Sequence, residues 1–170
     1  MLDTVMIQSG PLLEFGNWLQ NRQFALDIVG SSWAYPYVQA LHFSGLSLFV
    51  GTNLALDFNL LGLWKGRETA SELCSGLILW NWIGFVIGIV GGFLLFAASA
   101  ATYVINPAFR MKLVILIPVG LILHIVVQRK VLYEWSKMPE MPKIARLVGL
   151  IELLCWLSVA TAAVLIPYMD

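Results

Sequence analysis

The two histidines are the residues best suited to chemistry, because both lie in long apolar stretches of the sequence. His42 lies within residues 29–56 and His124 within residues 113–128, and neither stretch contains Asp, Glu, Lys or Arg. Ionisable side chains are rare inside membrane-spanning helices, where they face the bundle interior or a functional site. Counted from the outer helix ends, both rings lie about 15–20 Å deep, near the middle of a bilayer. We therefore expect the two imidazoles to lie at similar depths, on two different helices.

Small residues beside the histidines suit a flat cofactor. Gly45 lies one helical turn after His42, and Gly120 lies one turn before His124, so each imidazole has a glycine on its own face. Haem iron takes axial His ligands, and cofactor sites are common in the cores of helix bundles. The pattern therefore predicts one haem b with His42 and His124 as its axial ligands. Further candidate contacts for the haem and its propionates are Gly88, Tyr35, Gln39, Arg110 and Lys112.

Other uses of the histidine pair stay open. Two buried histidines can serve helix packing through hydrogen bonds. Copper would be expected to recruit Met or Cys, and Met6 and Met111 form no cluster. A proton-handling or quinone site is a further alternative, as is a lipid or pigment in place of the haem.

Two acids also lie in or beside the apolar segments. Asp57 ends a polar stripe on the first segment, and we expect it to pair with Lys65, Arg67 or a base at the end of the third segment. Glu152 lies inside the fourth segment, where it can pair with the bases at 129–130 or handle a proton. Structural pairing is the simpler role for both acids.

Membrane-crossing helices are needed to position these residues. Hydrophobic residues make up 59% of the 170 residues and charged residues 12%, which is typical of a membrane protein rather than a soluble domain. The ten basic and ten acidic side chains cancel, which excludes a nucleic-acid protein that relies on a basic surface. Because lipid offers no partner for free backbone groups, we predict an all-α fold, a transmembrane four-helix bundle in one integral-membrane domain over residues 1–170. The predicted spans are 32–56, 77–104, 111–131 and 146–168.

The segments outside the spans predict the orientation. Residues 11–29 have apolar and polar side chains on opposite sides of a helix, which indicates an amphipathic helix in the membrane interface. Seven Lys and Arg residues follow the first and third spans, against three on the other side. Because basic loops stay inside, both termini should face the periplasm of a bacterial inner membrane. We also expect Pro118 to kink the third span, and Cys74 and Cys155 to lie too far apart for a disulfide.

One part of the first span resembles a known family. WAYPYV at 33–38, HFSG at 42–45, VG at 50–51 and DFNLLG at 57–62 resemble an uncharacterised family of small four-span bacterial inner-membrane proteins. That family is similar in layout to copper-resistance-D-like and HemJ-like membrane proteins. Those proteins also carry a histidine in an early helix, so the resemblance gives weight to His42. It implies no substrate.

Together these patterns predict a small b-type cytochrome. It would pass electrons between the membrane quinone pool and a periplasmic redox protein, or within a larger membrane complex. The alternatives are a cofactor-free accessory or assembly subunit and a copper-handling membrane protein. Short loops favour an electron-transfer or accessory role over a stand-alone enzyme, and nucleic acid is not an expected partner.

Overall fold

All regular structure in the described part of the chain is helical, which confirms the predicted all-α fold for those residues. The computed structural model describes residues 10–64, 66–138 and 141–169. The helices in these ranges are α1 (Pro11–Gln20), α2 (Gln23–Gly30), α3 (Ala34–Leu60), α4 (Ala70–Ala98), α5 (Ala100–Ile105), α6 (Pro107–Lys137) and α7 (Lys143–Tyr168).

Three of these helices, α4, α6 and α7, are long and apolar enough to cross a membrane. The fourth long helix, α3, has 27 residues and a length of about 40 Å, which is sufficient to span a bilayer. Its stripe of polar side chains makes it less apolar than the other three. Four crossings therefore stay a prediction. Cys74 in α4 and Cys155 in α7 are free thiols, as predicted.

The start of α4 is set by a capping box and lies at Ala70, earlier than the predicted 77. The N–H of Glu72 donates to the hydroxyl oxygen of Thr69 at 3.3 Å, and the N–H of Thr69 donates to Oε2 of Glu72 at 2.8 Å. The helix ends at Ala98, and a break at Ser99 separates it from α5. The single predicted span over 77–104 is therefore two helices.

The start of α6 lies at Pro107, earlier than the predicted 111. Asn106 caps it, because its side-chain oxygen accepts a hydrogen bond from the N–H of Phe109 at 3.0 Å. Around Pro118, whose nitrogen has no hydrogen to donate, the helix widens into a π-helical turn. The segments of α6 are Pro107–Ile115 (α), Leu116–Leu121 (π), Ile122–Arg129 (α), Lys130–Glu134 (π) and Trp135–Lys137 (3-10).

The N-terminal segment forms two short helices instead of the single helix predicted over 11–29. Asn21 ends α1, because its side-chain amide donates to the carbonyl oxygen of Asn17 at 2.8 Å, and α2 begins two residues later. Leu19 of α1 and Ala25 of α2 are buried against the junction of α4 and α5. Their location in a membrane interface stays a prediction.

Glycines allow α3 and α4 to pack backbone against backbone. A Cβ atom on Gly84 would lie 2.9 Å from the carbonyl oxygen of Gly45, and a Cβ on Gly45 would meet the backbone of Gly88. Small residues at such positions let helix backbones approach closely in membranes. We call Gly45, Gly84, Gly88 and Gly91 the glycine seam. The seam fixes the register of α3 on α4, and so determines which side chains of α3 face the bundle.

Candidate functional site

A histidine and a glutamate form a buried pair between α6 and α7. His124 and Glu152 are each 1% exposed, and the Nδ1 atom of His124 lies 2.6 Å from Oε1 of Glu152. Such a pair requires good geometry, because taking a charge out of water costs several kcal/mol. The predicted pairing of Glu152 with the bases at 129–130 is wrong, since Lys130 pairs with Glu134 on the surface instead, at 2.7 Å.

Two amides enclose the other side of the imidazole ring. The Nε2 atom of His124 lies 2.8 Å from Oδ1 of Asn81 on α4 and 2.8 Å from the amide nitrogen of Gln128 on α6. The amide of Asn81 is oriented by α3, because its nitrogen donates to Oδ1 of Asn53 at 2.7 Å. The amide of Gln128 is oriented by Trp82, whose indole N–H donates to its oxygen at 3.1 Å. We call His124, Glu152, Asn81 and Gln128 the polar centre.

The two amides offer Nε2 of His124 one acceptor and one donor. With a proton on Nε2, the ring donates to the oxygen of Asn81; without it, the nitrogen accepts from the amide of Gln128. One ring nitrogen makes one of these bonds at a time, so each protonation state has a partner. On the opposite side, Nδ1 faces a carboxyl oxygen that can accept or supply a proton. The polar centre can therefore hold a proton and pass it on.

Aromatic rings pack over one end of the polar centre. Phe49 meets His124 edge to face with the ring centroids 5.3 Å apart, and it meets Trp156 in the same way at 4.8 Å. Phe85 lies 5.3 Å from Phe49 and 5.4 Å from Trp82. We call Phe49, Phe85, Trp82 and Trp156 the aromatic layer. Its packed rings exclude water from this side of His124.

Asp57 lies one turn beyond Asn53 on α3, towards the end of the helix. Its side chain is 1% exposed, and neither carboxyl oxygen has a hydrogen-bond partner among residues 10–64, 66–138 and 141–169. The predicted ion pair with Arg67 is therefore wrong, and Lys65 lies outside the described residues. Asp57 is close enough to Glu152 for the two charges to interact.

His42 lies at the glycine seam, apart from the polar centre. Its Nδ1 atom is 2.7 Å from the carbonyl oxygen of Gly88; because a carbonyl only accepts, Nδ1 carries the hydrogen. The ring lies against Gly92, where a Cβ atom would be 2.9 Å from Cε1 of the imidazole. Lys112, a predicted propionate partner, lies near enough for its charge to act on His42.

The prediction that the two histidines lie at similar depths is wrong. His42 contacts α4 at Gly88, whereas His124 contacts it at Asn81, about 10 Å away along the helix axis. The cause is the position of the first residue of α6. Because α6 begins at Pro107 rather than 111, His124 lies deeper along it than the sequence count implies.

The other predicted cofactor contacts lie in occupied space or near the N-terminal ends of α3 and α6. A Cβ atom on Gly120 would lie 3.2 Å from the indole of Trp156, and Gly45 and Gly88 face each other in the glycine seam. Haem ligation by both histidines stays a prediction, and it would require Nε2 of His124 to leave its two amide partners. Near those N-terminal ends lie half-buried Tyr35, exposed Gln39 and exposed Arg110.

Asn81 is the member of the polar centre that sequence reasoning missed. It lies between Trp80 and Trp82, in a stretch whose hydropathy a single uncharged amide does not interrupt. The sequence nevertheless contains a signal that could have identified Asn81. A polar side chain in the middle of an apolar helix needs an interhelical partner, and Asn53 supplies one on the neighbouring helix.

A match to a protein family covers most of the chain. Residues 23–169 match DUF6644, a family of unknown function. The chain belongs to the DUF6644 family. No curated protein and no solved structure matches it. The family match contains both the polar centre and the glycine seam, while the resemblance to copper-resistance-D-like and HemJ-like proteins stays a prediction.

Proposed function

We propose that this DUF6644 protein binds and transfers a proton at the His124–Glu152 pair, inside the membrane. The observation that supports this best is the environment of the imidazole. Nδ1 lies 2.6 Å from a carboxyl oxygen, and Nε2 lies 2.8 Å from one acceptor and 2.8 Å from one donor. A histidine that only holds helices together needs one protonation state, whereas this one has partners for two. Proton relays are among the main uses of ionisable side chains inside spans.

The proposal includes a membrane setting with α3, α4, α6 and α7 as a four-helix bundle in a bacterial inner membrane. The excess of Lys and Arg around the α3–α4 and α6–α7 connections favours a cytoplasmic location for both connections and periplasmic termini. In that orientation the side of the polar centre nearest Asp57 faces the cytoplasm, and the aromatic layer faces the periplasm. The centre would then exchange protons with the cytoplasmic side, in step with electron transfer by a quinone or a redox partner in the membrane.

A pH jump followed by infrared spectroscopy tests the proposal on the full chain in lipid nanodiscs. The carboxyl band of Glu152 is assigned by its loss in Glu152→Gln, which keeps the side-chain shape but cannot exchange this proton. We expect the wild-type band to change within seconds, because a transfer site must equilibrate with water. Glu134→Gln removes a carboxyl from an exposed ion pair and serves as the matched control. In this variant the Glu152 band should respond to the pH jump as it does in the wild type.

A purely structural pair gives a different result. It keeps one protonation state throughout the pH range in which the protein stays folded, so the Glu152 band does not respond to the jump. That result would rule out proton transfer at the polar centre. His124→Gln adds an independent check, because removing the ring partner should shift the Glu152 band in frequency.

Haem binding at His42 is a second candidate, favoured by the hydrogen bond from Nδ1 to Gly88. Ligating histidines commonly donate their other ring N–H to a backbone carbonyl, which fixes the ring and leaves Nε2 for the metal. Lys112 supplies a positive charge near the ring, as a propionate would require. The present side chains do not fit a haem held by both histidines, because amides occupy Nε2 of His124. A bound haem would supply one-electron chemistry.

The absorption spectrum of the reduced, detergent-solubilised protein tests this second candidate. We expect a Soret band that is lost in His42→Ala and kept in His124→Ala, since two amides hold Nε2 of His124, whereas the hydrogen bond of His42 within the described residues uses Nδ1. Protein made in haem-supplied cells without such a band would exclude haem binding. Copper content measured on the same samples tests the copper alternative.

A further inference from the structure

Asp57 is the buried carboxyl that the polar centre does not use. Its side chain is 1% exposed, and both oxygens lack a hydrogen-bond partner within the described ranges. Buried polar groups are almost always bonded, so an unbonded carboxyl needs a physical reason. We propose that Asp57 is a second proton-binding residue, which carries protons between the aqueous phase at the α3–α4 connection and Glu152. This inference rests on the proposed function of the polar centre.

The packing of α7 against α3 places Asp57 about one turn from Glu152. A Cβ atom on Gly149 of α7 would lie 3.4 Å from the carbonyl oxygen of Asp57. Farther along α7, Trp156 contacts Phe49, which lies earlier on α3, so the two helices run antiparallel. Glu152, three residues after Gly149, lies between these two contacts. One turn rises about 5.4 Å, a separation that two carboxyl side chains or one water molecule can bridge.

Other polar atoms without a hydrogen-bond partner belong to the side chains nearest this gap between Asp57 and Glu152. Oε2 of Glu152 and the amide nitrogen of Asn53 are also buried without a partner in the described chain. A cavity of about 10 Å³, with Asn53 and Gln128 in its wall, lies on the α4 side of α3. That volume is enough for about one water molecule. One water there would bond the amide of Asn53, while a proton shared between Asp57 and Oε2 of Glu152, neither of which lines that cavity, would supply the hydrogen bonds that the two carboxyls lack.

The charges around Asp57 favour one proton held between two carboxyls. Glu152 on α7 is close enough for its charge to act on Asp57, and a proton held between the two carboxyls would remove that repulsion. Cys74 faces the cavity from α4 as a buried thiol. Arg146 lies near the aqueous end, with Nη2 3.8 Å from where a Cβ on Gly62 would be. In this proposal the Arg146 cation lies at the aqueous end of the site, and the carboxyls of Asp57 and Glu152 share one proton farther inside.

The step moves one proton and no electrons. Protonated Asp57 gives its hydrogen to Oε2 of Glu152, directly or across one water, and is left as a carboxylate. Glu152 is then a neutral acid whose Oε1 faces Nδ1 of His124, and Asp57 takes a new proton from water at the C-terminal end of α3. Because the aromatic layer covers the far end, a proton on the polar centre returns by the same route.

The pH-jump measurement on the full chain in nanodiscs tests this role with Asp57→Asn. We expect the response of the Glu152 band to slow about tenfold or more, with unchanged amplitude, because the carboxyl remains but its proton donor is gone. Asp57→Glu keeps a carboxyl and should restore most of the rate. The matched control is Asp27→Asn, which removes an exposed carboxyl on α2 and should leave the rate unchanged.

The outcomes separate this inference from the proposed function. A Glu152 band that responds at the wild-type rate in Asp57→Asn overturns the role of Asp57 and leaves the polar centre intact. A band that never responds in the wild type overturns both. If Asp57→Asn fails to fold, isotope-labelled aspartate in wild type and in Asp57→Glu decides: the labelled band that only the wild type shows belongs to Asp57 and must change no later than that of Glu152, whereas a later change overturns the inference.

Discussion

The glycine seam and the polar centre hold the same two helices together by opposite means. In the seam, α3 and α4 touch through their backbones, with no side chain between Gly45 and Gly88. About 10 Å farther along α4, the amides of Asn53 and Asn81 bridge the same two helices through a 2.7 Å hydrogen bond. A glycine beside His42 therefore marks a contact between helices, whereas His124 has three polar side chains within hydrogen-bond distance.

The two histidines differ as the two regions do: His42 bonds to backbone, whereas His124 bonds to side chains. His42 makes a hydrogen bond to a backbone carbonyl, which can only accept and so fixes a hydrogen on Nδ1. His124 faces Glu152, Asn81 and Gln128, which together can accept or donate on both sides of the ring. The first environment specifies a tautomer, and the second offers a hydrogen-bond partner to more than one form of the ring.

Removing Glu152 should cause the largest loss of stability among the substitutions proposed. It would sharpen the contrast between the polar centre and the glycine seam. Glu152→Ala leaves His124 buried without its carboxyl and opens a cavity, and we expect the free energy of unfolding to fall by about 3 kcal/mol. This is the low end for a broken buried pair, because the unfolded chain in a bilayer also finds polar partners. The measurement is a titration with denaturing detergent in mixed micelles, followed by circular dichroism.

The control for that loss is the exposed ion pair on α6. Glu134→Ala removes the surface partner of Lys130, and we expect a cost below about 1 kcal/mol. Equal losses in Glu134→Ala and Glu152→Ala would contradict a special role for the buried pair. A near-neutral Glu152→Gln beside a strongly destabilised Glu152→Ala would indicate that hydrogen bonding, rather than charge, supplies the stability.

The burial of the C-terminal half of α3 was predictable from the sequence. Phe49, Asn53 and Asp57 recur at helical spacing, and all three are buried, because lipid cannot solvate the polar members of such a stripe. The N-terminal half of the stripe follows this rule less well. Gln39, near the N-terminal end of the helix, is exposed.

Helix ends and long-range partners were beyond the sequence analysis. The cap at Asn106 moves the start of α6, and this shift alone changes the depth assigned to His124. The partner of Glu152 lies 28 positions away, while spacing along the chain favoured nearer bases at 129–130. Which distant groups meet depends on how the helices are rotated against one another, and hydropathy alone does not determine that rotation.

A methyl group added to the glycine seam should change the free energy of unfolding by less than the loss of Glu152. Whether that change is a loss or a gain tests whether α3 and α4 touch through their backbones at the seam. Gly45→Ala brings a Cβ against the backbone of Gly88, so α3 and α4 must separate, at an expected cost of about 1–3 kcal/mol by the same titration. Gly51→Ala on the same helix has nothing within 4 Å of its Cβ and should gain about 0.5–1 kcal/mol. If Gly45→Ala instead behaves like Gly51→Ala, the helices stand apart beside His42, and that space would suit the flat cofactor that the sequence predicts.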